Sequence, residues 1–416
     1  MNPYLRKWLQ ISLFNLLLVA FAGVILRYKI AFSLPVVNQK YLLHGHSHFA
    51  FAGWVSQALM ALLVAYLHEN GAENVFQKYR VLLYANLVTA YGMLCTFPLQ
   101  GYGAASIFFS TASIVVSYLF AVAYWKDLNR LKLHNSCHSW FKAAVFFNAL
   151  SSLGVFALAF MMATKHIRTE SYLLSVYFFL HFQYNGWFFF ACMGLLAYRL
   201  GQYGMAEQRL QQVFRLFVLA SVPAFFLSAL WLPLPRWAFL LIAAATVLQL
   251  AAWGLLLLQV KKHWSGIKQQ LPLFSRRLFA LWALALTIKL CLQAGSVAPS
   301  LSQLAFGFRP IVIGYLHLVL LGVISLFILA YTLTFNYIPV NKRTVTGLIV
   351  FISGILINEL LLMAQGAADL GYTAFPFINQ LLLAAALVLF TGMLLVNYGQ
   401  KKTKDALHHK TGGWIA

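Results

Sequence analysis

The feature that most constrains this chain is the recurrence of apolar runs long enough to cross a bilayer. A membrane helix needs ~20 mostly apolar residues. The sequence carries twelve such runs, at about 8–27, 43–67, 80–98, 103–125, 141–163, 172–198, 211–230, 237–260, 278–298, 310–334, 344–364 and 375–398. The gaps are short and polar or turn-forming, as in Trp231-Leu-Pro-Leu-Pro-Arg236. The expected fold is therefore all-α: a polytopic membrane protein of twelve transmembrane helices, forming one bundle over residues 1–416 with no soluble domain. The opening MNPYLRKW lacks a small-residue cleavage site after its apolar stretch and reads as the start of the first helix.

Composition agrees and adds a direction. Hydrophobic residues make up 62% of the 416 and charged residues only 9%, which excludes both a water-soluble globule and a disordered chain. The charges are lopsided, 30 Lys and Arg against 8 Asp and Glu. In a soluble protein a net charge of +22 would point to nucleic acid; here it marks cytoplasmic loops. Of the 30 basic residues, 22 fall on the N-terminus, the even-numbered loops and the C-terminal tail, and seven on the odd-numbered loops. The positive-inside rule then places both termini in the cytoplasm, with even-numbered helices entering from the outer side. A multi-pass protein of a bacterial cytoplasmic (inner) membrane, in contact with lipid and not nucleic acid, is expected.

Against so little charge, the histidines carry the chemical signal. Seven of the twelve (His68, His134, His138, His166, His263, His408, His409) fall in loops, span ends or the tail, where solvation is the ordinary state. Five lie at membrane depth on even-numbered helices: His44, His46 and His48 on helix 2, His181 on helix 6 and His317 on helix 10. Ionisable side chains inside lipid are expensive and mark functional positions. With a rise of ~1.5 Å per residue, His317 is ~10 Å in from Pro310, and His46 and His48 reach a similar depth if helix 2 starts near Gln39 to Tyr41. Two imidazoles at matched depth on different helices can ligate one metal from opposite sides, and a haem iron held by two imidazoles fits this geometry; the alternative is that they hydrogen-bond to neighbouring helices and bind nothing. Gly53, Ala50 and Ala52 on helix 2, and Gly314 and Gly322 on helix 10, are candidates for letting a flat macrocycle approach. Within His44-Gly-His46-Ser-His48, residues 44 and 48 share a helical face and 46 points nearly away. The triplet can thus serve two sites, or a pair of its histidines can chelate copper or zinc. His181 has Tyr184 and Asn185 on its own face and is either a ligand or a structural group bonded to Asn185 or a carbonyl.

Two further charges lie within spans: Lys289 in helix 9 and Glu359 in helix 11, read as an ion pair or steps of a proton path. Arg309, just outside helix 10, suits a haem propionate through a bidentate contact or acts as an interfacial anchor. The four cysteines are scattered without CxxC or CxxCH, against covalent haem and thiolate zinc.

This constellation resembles subunit I of the haem–copper oxidase superfamily, which includes the large subunit of nitric-oxide reductases. The topology matches along the whole chain, the motifs in two short segments. Tyr315-Leu-His317-Leu-Val-Leu-Leu-Gly322 is similar to the family's helix-10 His-x-His segment, whose second histidine ligates the low-spin haem. The resemblance implies that His317 and one helix-2 histidine hold a haem b near the outer face. His44-Gly45 mimics one family register, while depth favours His46 or His48; His48 is taken as the ligand. It also implies electron transfer or handling of oxygen or nitric oxide, a small cytochrome or a quinol as electron donor, and additional oxidase-type subunits. The chain departs from the family at the reaction centre. Tyr315 replaces the high-spin haem ligand, no His-His pair stands near helix 7, and Asn185 replaces the tyrosine after His181, a position where the family has a copper ligand. A catalytic centre for oxygen reduction is thus incomplete. A weaker resemblance is to twelve-helix haem- and copper-binding proteins linked to nitric-oxide stress.

Two other readings compete. A secondary transporter would use Lys289 and Glu359, but no internal repeat relates residues 1–200 to 201–416. A copper or zinc membrane protein would use the histidine triplet alone.

Overall fold

The computed structural model describes residues 2–132, 135–298, 300–301 and 308–410, with only the backbone described over 401–410. Every regular element among them is helical. In chain order these are α1 (Pro3–Phe32), α2 (Gln39–Glu69), α3 (Val75–Gln100), α4 (Ala104–Arg130), α5 (Cys137–Ala163) and α6 (169–202). They continue with α7 (Glu207–Ser221), α8 (Arg236–Lys262), α9 (Leu273–Gly295), α10 (Arg309–Thr334), α11 (Lys342–Leu370) and α12 (Ile378–Lys410). A short helix, Trp264–Gln270, precedes α9.

Ten of these are long and apolar enough to cross a membrane, all but α6 and α7, and α7 with the 3₁₀ turn Pro223–Ala229 makes an eleventh if that bent pair is one span. The middle of α6 carries His181, Gln183, Tyr184 and Asn185. The chain is a multi-pass membrane protein in contact with lipid. Helices α1, α2 and α11 start ahead of their apolar runs, each at an asparagine whose side chain caps the first turn. Asn38 accepts from the Tyr41 N–H at 3.1 Å and starts α2 at Gln39; Asn341 accepts from the Thr344 N–H at 3.0 Å and starts α11.

The helices form two compact units. The first contains α1, α2 as far as Ala65, α3, the start of α4 and everything from Leu329 onward. Within it α11 and α12 pack along their length, and α1 packs on α12. Between apolar helices in lipid, close packing replaces the hydrophobic effect as the driving force, so small residues line the contact. A Cβ added at Gly392 would come within 2.5 Å of the Phe351 amide nitrogen, and one at Gly347 within 2.6 Å of that of Val396. Glycine is what lets these backbones meet.

The second unit contains residues 66–73, the rest of α4, α5 to α9, and α10 as far as Ile328. Its interior is aromatic: Trp140, Trp187, Phe141, Phe182, Phe188 and Phe190 are fully buried. Trp253 on α8 donates to Thr287 Oγ1 on α9 at 2.9 Å and meets Trp282 edge-on at 5.7 Å, which sets the register of that pair.

Three helices change their winding at one point. α2 becomes a π-helix over Ala50–Ser56, α6 over Phe182–Phe188 and α10 over Leu318–Ser325. Each π segment begins within two residues of a histidine singled out above: His48, His181 or His317. A π turn takes backbone groups out of the i→i−4 ladder and recurs at functional positions in helices.

Candidate histidine centres

In the first unit, the α2 triplet divides between two faces. Gly45 faces α3 at the proline within that helix: a Cβ there would be 2.9 Å from Pro98 Cγ. This contact brings His44 and His48 against the end of α3. The His48 ring stacks on Phe97 (centroids 4.4 Å, 14° between planes), and its Nε2 is 3.3 Å from the Tyr102 hydroxyl. His44 meets the Tyr102 ring edge-on at 4.8 Å, and its Nε2 is buried with no hydrogen-bond partner among the described residues. Tyr102 is presented by the turn at Gly101, whose φ of +59° favours glycine and where a Cβ would overlap the Tyr41 ring. His46 points the other way, toward α1, where a Cβ on Gly23 would be 3.6 Å from its Cε1.

The π turn after the triplet is clamped from both sides. Asn15 on α1 donates to the Gly53 carbonyl at 2.6 Å and accepts from the Tyr91 hydroxyl at 2.6 Å. Asn86 on α3 donates to the Ala52 carbonyl at 3.0 Å and to Gln57 Oε1 at 2.7 Å. These amides bond to carbonyls at the π turn, in lipid where no water can. Gly53, expected to admit a macrocycle, instead makes room for its own helix: a Cβ there would be 2.6 Å from the Phe49 ring.

In the second unit, His317 sits eight residues into α10, ~12 Å along the axis. Its Nδ1 lies 2.8 Å from the Ile313 carbonyl, which can only accept, so Nδ1 is the donor in this bond. The bond fixes the orientation of the ring. Gly322, on the π turn, faces α9, where its Cβ would be 3.3 Å from Ala285; it too is a packing glycine. Arg309 is exposed at the first position of α10.

His181 has both ring nitrogens engaged. Nε2 donates to the Ser221 carbonyl at 2.9 Å, and Nδ1 accepts from Asn185 Nδ2 at 3.2 Å. The Ser221 carbonyl needs that donor because α7 breaks there, bending by 43° into a 3₁₀ turn headed by Pro223. The Phe225 N–H bonds to the Val222 carbonyl instead, at 3.1 Å. A metal at His181 would have to displace one of its two bonds. Gln183, next on the π turn, donates to Asn148 Oδ1 at 2.9 Å and Ser151 Oγ at 2.7 Å, and Tyr315 faces Tyr184 with centroids 6.5 Å apart.

Lys289 is buried, its ammonium 5.7 Å from the centre of the Phe189 ring, while Glu359, in the first unit, accepts from Asn358 Nδ2 at 3.2 Å. Among the described residues no three His, Cys, Asp or Glu side chains gather as a metal cluster. His134, His408 and His409 lie outside the residues whose side chains are described.

One histidine set aside on sequence is placed differently. His138, read as facing solvent or headgroups, is buried, its Nε2 2.7 Å from the Tyr66 hydroxyl, to which the Cys137 thiol also donates at 3.2 Å. The Ser-Cys-His start of α5 lies before the apolar run, so hydropathy could not bury it; its partner Tyr66 is far away in sequence. No family model matches the chain, and no curated protein matches it significantly.

Proposed function

We propose that this chain is a haem protein of the bacterial cytoplasmic membrane, with twelve spans, both termini cytoplasmic, and a bis-histidine haem b near the outer face. The observation that carries the reading is His317: a part-buried imidazole within an apolar helix, its Nδ1–H held by the Ile313 carbonyl at 2.8 Å and a π turn starting at the next residue. An orientation fixed before binding is what an axial ligand needs. Depth favours His46 or His48 as the opposing ligand, and His48 is the one taken on sequence. The packing of His48 on Phe97 and Tyr102 moves that role in our reading to His46, which is turned to the small Gly23 on α1. Arg309, at the exposed start of α10, suits a propionate.

When bound, haem supplies one-electron chemistry at iron. The chain's own contribution is to hold two imidazoles, exclude water and set the local polarity. With both histidines holding the group, the role it would supply is electron transfer; handling of oxygen or nitric oxide would need one of the two histidines to release it. His181, held by Ser221 and Asn185, and Tyr315, packed against Tyr184, favour a single haem over a haem–copper reaction centre. Electrons would come from a small cytochrome or a quinol, with oxidase-type subunits as further partners. A transporter would use the broken helix at Pro223, but the carbonyl freed there is already taken by His181.

The test is a visible spectrum of the full-length protein, purified after expression with ample haem. A Soret band that His317→Ala and His46→Ala remove, and His181→Ala leaves in place, is expected. A folded protein without a Soret band would overturn the proposal.

A further inference from the structure

We propose that His44 and His48 form a transition-metal site on α2, separate from the haem ligand His46, and that copper is the ion it fits. The assignment of haem to His46 rests on the reading above; the metal pair stands on its own geometry. Residues four apart on a helix have Cβ atoms ~5–6 Å apart, a span that lets two imidazoles close on one ion. Here both rings converge on one hydroxyl-bearing side chain: His48 Nε2 is 3.3 Å from the Tyr102 hydroxyl, and the His44 ring meets Tyr102 edge-on at 4.8 Å.

His44 Nε2 is buried and has no hydrogen-bond partner among the described residues. A polar nitrogen in that state, within an apolar helix, is a ligand without its metal or a donor without its acceptor. Phe97 stacks on His48, and the glycine turn at Gly101 presents Tyr102 to the pair. Lys40, exposed one turn earlier on the same face, opposes a cation, but its charge is screened by solvent.

Two neutral imidazoles and a phenol oxygen form a borderline donor set. Among divalent ions copper binds such nitrogen and oxygen ligands most strongly, and monovalent copper accepts two imidazoles alone. The triplet then has a division of labour that its spacing permits and the tertiary contacts assign, with one face toward α1 and the other toward α3 and Tyr102.

The test uses the full-length protein in detergent, stripped of metal and given equimolar Cu(II). Copper retained after desalting, with electron paramagnetic resonance showing nitrogen couplings from two imidazoles, is expected. His44→Ala and His48→Ala should each lose it. His46→Ala should keep copper while losing the Soret band, and Tyr102→Phe should keep copper with an altered spectrum. Folded protein that retains no copper, or copper that survives in a His44→Ala/His48→Ala double variant, overturns the site. The two readings fail separately: copper without a Soret band overturns only the haem, and a Soret band without copper overturns only this site.

Discussion

His181 donates to the Ser221 carbonyl across forty residues of sequence, at 2.9 Å, and so closes the backbone of a helix to which it does not belong. The break at Pro223 and the histidine on α6 are two halves of one arrangement. Replacing His181 by Ala leaves a buried carbonyl unsatisfied, and a loss of about 1–3 kcal/mol is expected. A lowered melting temperature in detergent with unchanged haem content checks this; loss of haem with unchanged stability would make His181 a ligand.

The Asn15 and Asn86 clamps predict a second effect. Asn86→Leu removes the donor to the Ala52 carbonyl and to Gln57 together. Polar contacts between membrane helices average ~0.6 kcal/mol and reach ~1.7 kcal/mol, so a loss in that range is expected. Asn15→Leu should behave alike, and the double variant should lose less than the sum, since both amides hold neighbouring carbonyls of one π turn. Thermal melts of the three variants read this out.

Gly392 predicts the largest loss. Any side chain there enters the Phe351 backbone, already 2.5 Å from an added Cβ, and backbone cannot yield as a flexible side chain can. Gly392→Leu should separate α11 from α12 and abolish accumulation of folded protein, whereas Gly254→Leu, where nothing lies within 4 Å, should be tolerated. Fluorescence-detected size-exclusion profiles of the two variants compare them directly.

Lys289 predicts a change of the opposite sign. Its ammonium rests on the Phe189 ring, a contact worth less than the desolvation of a buried charge. Lys289→Met, which keeps the volume, should hold or raise the melting temperature by up to a few degrees, in the range expected for about 1 kcal/mol. A fall in stability would show that the amine has a stronger partner than the ring.

Some of the local arrangement is legible in the sequence. Asn38 marks the start of α2, and the i,i+4 spacing of His181 and Asn185 foreshadows their bond. The separation of His46 from His44 and His48 follows from helical geometry alone. Other parts are not legible. Gly53 and Gly322 read as openings for a macrocycle, and only their neighbours Phe49 and Ala285 show them to be packing positions. His138 reads as a surface residue until Tyr66 is placed beside it.

By itself the sequence determined that this chain is helical and lives in lipid, because hydropathy acts segment by segment and each run of ~20 apolar residues must satisfy its own backbone. It also singled out a few ionisable side chains within the apolar runs, among them His44, His46, His48, His181 and His317. Only the tertiary structure decided what those side chains do. Asn86 meets Ala52, His181 meets Ser221, and His44 and His48 meet Tyr102 on other helices or turns. The π turns and the break at Pro223 take backbone carbonyls out of the helical ladder, and the partners that complete them are set by packing, which no single segment encodes.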